Sequence, residues 1–200
     1  MQKRLPRYSE DFQNKILKYP KWESQQLSLV GRLLLFKGIR FFFGNDCNDS
    51  QINFTEYNKP FFNSGHVKFN ISHAGEIVVC ALTKIGEIGI DIELMQDKKI
   101  DDFRVFMTDN EWIKIKEARN STLEFYNYWT EKESIIKIYG HGMTLPLQSF
   151  EIQEKQTQIN EQKYYLKEIK IHPDYLCHMA FGENLDDHRI KIKNYSIEEL

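Results

Sequence analysis

The spacing of apolar positions changes several times along this 200-residue chain, and each spacing predicts an element. Between residues 21 and 40, Trp22, Leu27, Val30, Leu33, Leu34 and Ile39 recur at helical intervals, so a long helix is expected. A shorter helix should precede it, capped by Ser9 and ended by Pro20. The period then falls to two. Residues 52–57 alternate weakly as an edge strand before the break at Asn58-Lys59-Pro60. Residues 67–71, 77–82 and 88–93 read as three antiparallel strands joined by tight turns. Thr108 with Glu111, and Ser121 with Glu124, have capping-box spacing ahead of helices ending near 119 and 139. Short strands at 150–152, 164–171 and 177–181 follow. Helices then strands thus occur twice, without a sequence repeat, and polar residues 96–102 are the best hinge between an N-terminal lobe (1–95) and a C-terminal lobe (103–200).

Composition narrows the function more than the fold. Lysine and arginine number 27 against 29 acidic residues, a formal charge of -2, so bulk-charge binding to nucleic acid is not expected. Any anion must be caught by a local basic cluster. Cys47, Cys80 and Cys177 are too few and too scattered for a metal motif or a disulfide framework. No apolar run has signal-peptide or membrane-spanning length, so no membrane association and a reduced cytoplasmic setting are expected.

The chemistry concentrates in two runs. In IGEIGIDIE, the strand period puts Ile88, Ile90 and Ile92 on one face and Gly89, Asp91 and Glu93 on the other. Two carboxylates on one face of a half-buried strand, with no basic neighbour on that face, repel each other and are best tolerated around a cation. Oxygen ligands of that kind suit a hard divalent metal and phosphate chemistry. In WTEKESIIK, Trp129, Glu133 and Lys137 are spaced by fours and stack on one helical face. As an exposed pair Glu133 and Lys137 would be worth only about 0.3–0.5 kcal/mol, but Trp129 on the same face argues that they point inward. Ser72 and His73 end the strand next to the carboxylates. A satisfied structural histidine and a phosphate donor are both consistent with that place. Lys59 is aimed by Pro60. Glu111 reads as part of a capping box, and Arg32 and Lys37 as snorkelling on the long helix.

Taken in order, KP, FNISH, IGIDIE, FMTDNEW and WTEKESIIKIYGHGM resemble the Sfp-type phosphopantetheinyl transferases over about residues 59–150. The resemblance implies an α/β (α+β) phosphopantetheinyl transferase fold, a pseudo-twofold pair of similar lobes with antiparallel sheets and coenzyme A between them. It implies Mg²⁺ held by Asp91, Glu93 and Glu133, phosphate contacts from His73 and Lys137 assisted by Ser72, and Lys59 near the adenosine part. Arg32 is the candidate for the ribose phosphate. Asn58 stands where the family has glycine before Lys-Pro, and His141 lies inside its Gly-x-Gly. The activity implied is transfer of the phosphopantetheine arm to a serine of an apo acyl, peptidyl or aryl carrier protein. Glu133 is the expected base, which sequence cannot separate from Glu93. The rivals are a Mg²⁺-dependent phosphohydrolase and a non-catalytic carrier-binding module. Because both lobes lie in one chain, a monomer is expected. An acidic carrier would dock on Lys114 and Lys116 with Phe103, Phe106 and Met107, unless the lysines are merely solvated and the apolar residues core.

Overall fold

The computed structural model describes residues 5–184 and 190–200; the ends of the expected lobes that fall on 1–4 and 185–189 lie outside them. Ser9 accepts a hydrogen bond from the Phe12 amide and starts helix α1 (Glu10–Leu17); α2 (Trp22–Phe43) follows and stops at Gly44, which is left-handed at φ 70°. Strands β1 (Ile52–Phe54) and β2 (Pro60–Phe62) form a hairpin, so the Asn58-Lys59-Pro60 break is its turn. Pro60 opens its strand, where a missing N–H is tolerated. Strands β3 (Lys68–Ala74) and β4 (Ile77–Thr83) pair antiparallel, and α2 lies against them through Gly31, beside Ile71 and Val78, and Gly38, beside Leu82.

The third strand, β5 (Ile88–Leu94), corrects the expected three-stranded sheet. It leaves β4 and pairs along its whole length with β8 (Tyr175–Phe181), in a four-stranded sheet ordered β5-β8-β7-β6, with β6 (Gln156–Ile159) and β7 (Gln162–Glu168). Toward β3 it makes a side-chain link instead, the Ile90 amide donating to Asn70 Oδ1 at 2.9 Å. The physical reason is burial on both faces. Ile88, Ile90 and Ile92 join the core formed with Val79, Met179 and Phe181, while Gly89 and Asp91 lie under a helix. The last residues also cross back: Lys37 Nζ donates to the Glu199 carbonyl, and Tyr195 meets Phe41 edge-on. The two halves are therefore interleaved.

Beyond a 3₁₀ stretch (Ile100–Phe106) that fills the end of the expected hinge come α3 (Asp109–Glu117) and α4 (Ser121–Tyr139). The Thr108–Glu111 box is present, whereas α4 is capped by Asn120, whose side chain accepts from the Leu123 amide, and not by Ser121. Residues 150–152 are not a strand. They lead into a two-residue turn before β6, which the sequence pattern missed.

Candidate active site

Helix α4 sits directly on β5 because residue 89 has no side chain. A Cβ there would lie 2.7 Å from the Ile138 amide and closer still to the Ser134 carbonyl, so any other residue would lift the helix off the strand. That close approach brings the Trp129, Glu133 and Lys137 face beside Asp91 and Glu93. Asp91 is buried, and its Oδ1 accepts from Ser72 Oγ at 3.0 Å and from Lys137 Nζ at 2.5 Å. Lys137 also donates to Ser72 Oγ at 2.8 Å. A basic neighbour of the carboxylate strand thus comes from α4, and Lys137 pairs with Asp91. Among the described residues Asp91 Oδ2 is buried with no hydrogen-bond partner.

The other two carboxylates are half-buried. Glu93 Oε1 accepts from Trp129 Nε1 at 3.3 Å, and burial and the charge of Asp91 hold its carboxyl above the usual range. Glu133 is raised for the same two reasons, with Lys137 opposing. Both groups are therefore better bases than an exposed glutamate, and both would be relieved by a cation.

The N-terminal half contributes Ser72 and His73 from consecutive positions of β3, so they face opposite ways. Ser72 is buried against Asp91; His73 is exposed, and partial burial and Lys137 hold its imidazole below its ordinary value. Lys59 bridges the halves, its Nζ donating to Glu87 and to the Ile138 carbonyl near the end of α4, both at 3.2 Å. His141 stacks on Tyr57, with ring centroids 4.8 Å apart, and meets Tyr139 edge-on. Arg32 is not in this cluster. It is buried on α2, bonded to Asp49 at 2.6 Å and lying over the Phe12 ring, where it fastens α1 to α2. Neither ribose-phosphate binding nor snorkelling describes it.

Two family models match the chain, "4'-phosphopantetheinyl transferase superfamily" over residues 87–193 and "4'-phosphopantetheinyl transferase, N-terminal" over residues 5–85. The chain belongs to the 4'-phosphopantetheinyl transferase superfamily. The 4'-phosphopantetheinyl transferase Sfp of Bacillus subtilis is 32% identical over 178 residues, which are 82% of this chain and 79% of that protein. The 4'-phosphopantetheinyl transferase gsp of Aneurinibacillus migulanus is 35% identical over 152 residues, covering 75% of this chain and 63% of its own length. A Bacillus subtilis 4'-phosphopantetheinyl transferase is 35% identical over 136 residues, 60% of its length. The match thus spans less than two thirds of some of these relatives.

Asn58 has φ 61°, the left-handed region that glycine favours and that asparagine tolerates best among other residues, so the turn before Lys59-Pro60 forms without the glycine that the resemblance implies. The Mg²⁺ that the resemblance implies can be tested on the side chains present. Among the described residues no three carboxylate, imidazole or thiol groups converge into a ready cage. The donor set nonetheless fits a hard divalent ion: three neighbouring carboxylates, two raised by burial and by the charge of Asp91, and an unpartnered oxygen on Asp91 itself. Among the described residues no helix is long and apolar enough to cross a membrane.

Sequence reasoning missed the polar groups on the other flank of α4. Lys132 and Glu111 form an ion pair at 2.9 Å with no side-chain exposure, and Glu131, Thr130 and His178 are buried beside them. The signal was available for Lys132. It falls at four-residue spacing between Tyr128 and Ile136, both buried, and a lysine inside an apolar stripe needs a buried partner.

Proposed function

We propose that this protein transfers the 4'-phosphopantetheine arm of coenzyme A to a serine of an apo carrier protein. The observation that carries the proposal is Asp91: a buried carboxylate at the junction of the halves, one oxygen taken by Lys137 and Ser72, the other left open beside Glu93 and Glu133. Mg²⁺ held by those three carboxylates would supply charge neutralisation at the coenzyme A pyrophosphate. The remaining work falls to the chain. Lys137 and His73 hold phosphate oxygens, with Ser72 keeping Lys137 in place, and Lys59 lies toward the adenosine part. Glu133, raised by burial and by Asp91, takes the proton of the carrier serine; Trp129 holds Glu93 and leaves Glu133 the freer base. The serine oxygen bonds to the phosphorus bearing the pantetheine arm as the bond to the nucleotide phosphate oxygen breaks, and adenosine bisphosphate leaves.

The partner would be an acidic helical carrier. Val105 and Phe106 are exposed ahead of α3, with Phe103 and Phe106 packed on Trp129, and Lys114 and Lys116 lie exposed on α3. Met107, expected among the docking contacts, is core at 1% exposure. One chain furnishes both walls of the site, so a monomer suffices. Incubation with coenzyme A, Mg²⁺ and a panel of apo carriers tests the proposal. A carrier mass gain equal to phosphopantetheine supports it. Release of free phosphate would instead indicate a hydrolase, and binding without either product a docking module.

A further inference from the structure

The turn before β6 places non-glycine residues where they are disfavoured. Glu154 and Lys155 both have positive φ, 48° and 58°, between Gln153 and Gln156, whose backbones bond each other in both directions. Glycine or asparagine is the usual choice at such positions. Observed strain of this kind points to a constraint elsewhere. Two contacts hold Lys155 there: its carbonyl accepts from the Leu166 amide at 2.8 Å, and its half-exposed side chain reaches an ion pair with Glu131, a carboxylate that is only 2% exposed. Lys155 Nζ also approaches His178 Nε2 at 3.4 Å. On the other side of that ring, His178 Nδ1 lies 2.7 Å from Thr130 Oγ1. Thr130 gives its proton to the Tyr126 carbonyl at 2.8 Å, so Nδ1 carries the hydrogen and donates, and Nε2 is left as an acceptor facing Lys155 Nζ and, at the same 3.4 Å, Glu131 Oε1. The chain Lys155, His178, Thr130 is thus closed in one direction.

Its location gives it a task. His178 is the direct cross-strand partner of Asp91, and Thr130 and Glu131 lie on α4 between Trp129 and Glu133. Gly89 leaves α4 seated on β5 without a side chain to stop it rolling. Lys137 restrains the cleft flank; on the opposite one the Lys132–Glu111 pair anchors α4 to α3, and the Glu131 pair and the His178 bond hold it to the sheet. Without the ammonium, Glu131 would keep only the His178 ring, 3.4 Å away and turned to it as an acceptor, so its buried charge would be uncompensated and a roll of α4 toward solvent would relieve it. That roll would carry Glu133 and Trp129 with it.

We infer that Lys155, acting through Glu131 and His178, is a positioning residue that sets the roll of α4 and so the placement of Glu133 and Trp129 at the cleft. This rests on the metal reading above, and Mn²⁺ is the probe that separates the two. Binding of Mn²⁺ to the full chain is titrated by electron paramagnetic resonance for wild type, Lys155→Met and Lys155→Arg, well below each melting temperature. Lys155→Met should weaken Mn²⁺ binding by about tenfold or more, the usual effect of losing an outer support of a metal site. Lys155→Arg should restore it, and the Mg²⁺ KM for transfer should rise more than kcat falls. If Lys155→Met does not fold, the double variant Glu131→Gln/Lys155→Met leaves no unpaired charge and should show the same weakening. A lowered melting temperature with unchanged Mn²⁺ affinity would overturn the positioning role alone. Failure of wild type to bind Mn²⁺ would overturn the metal reading and this inference together.

Discussion

Helix α4 carries a lysine–carboxylate pair on each flank, and the two are built to opposite standards. Lys132 donates to Glu111 and to the carbonyls of Leu147 and Phe150, which uses all three of its protons. Glu111 also accepts from the amides of Thr108 and Ile152, so both its oxygens are occupied. The pair ties α3, α4 and the segment before β6 into one unit. On the cleft flank Lys137 shares Asp91 Oδ1 with Ser72 while Oδ2 has nothing, and two further carboxylates are held above their ordinary range alongside. A saturated pair has nothing left to bind with. An unsaturated one at a cleft retains capacity for a ligand, and accepts a cost in the free protein to do so.

The sharpest way to break this contrast is to remove the saturated lysine. Lys132→Met should cost about 3–5 kcal/mol, because Glu111 is left charged and buried among groups placed for a cation. Urea denaturation measures it, and Glu111→Gln/Lys132→Met should recover part of the loss. A cost below about 1 kcal/mol, the range of an exposed pair, would show that the site is wet.

Asp91→Ala should instead strike activity, lowering phosphopantetheine transfer by on the order of 10²–10³-fold, the range seen when one preorganised charge-stabilising group is lost. From the strand pattern alone, removing Asp91 should relieve repulsion and stabilise the free protein. Lys137 and Ser72 reverse that expectation, because Asp91 is already compensated and its loss leaves Lys137 short of a partner. Transfer near the wild-type rate would remove Asp91 from the site.

Strands β3, β4, β5, β7 and β8, the two long helices and the shared faces of the cleft residues were legible in the sequence because local periodicity encodes them, whereas β2 and β6 were not. Asp91 and Glu93 share a strand face, Trp129, Glu133 and Lys137 a helix face, and Gly89 gives the helix access to the strand. Partner choice over long separations was not legible. Nothing in residues 88–94 says that their ladder is β8 rather than β4, since a strand buried on both faces is apolar enough for either. Arg32 failed for a related reason: its partner Asp49 is 17 residues away in turn-like sequence and reads as solvated. The Glu154–Lys155 turn was hidden because its residues are poor turn formers, held there by contacts with β7 and Glu131 and not by preference.

The flank opposite the cleft also carries a pH signature. Burial, followed by the charge of Lys155, pushes the His178 imidazole down to about 3. An unfolded histidine titrates near 6.5, so between roughly 6.5 and 3 the unfolded chain takes up a proton that the folded protein refuses. The contribution of His178 is present above that range and is lost as pH falls through it, at up to about 1.4 kcal/mol per pH unit. His178→Asn should therefore lose less stability than wild type between pH 6.5 and 5, whatever its stability at pH 8. Parallel curves for the two proteins would mean that water reaches the imidazole and that this flank is not sealed.

Lys137→Met should give the smallest effect and bears most directly on the contrast. A methionine keeps most of the packing of the lysine stem, and Asp91 retains Ser72, so the fold should survive a change that its saturated counterpart would not tolerate. What is lost is a mobile ammonium able to leave Asp91 for a phosphate oxygen. One charge-assisted hydrogen bond of that kind corresponds to roughly a tenfold weaker dissociation constant for coenzyme A. Isothermal calorimetry with coenzyme A reads the affinity, and thermal melting read alongside keeps it apart from stability. An unchanged dissociation constant with a fall in stability comparable to that of Lys132→Met would make Lys137 a second structural lysine and erase the difference between the flanks. Weakened binding with a modest change in melting would mean that Asp91 holds Lys137 in reserve, available to the phosphate when substrate arrives.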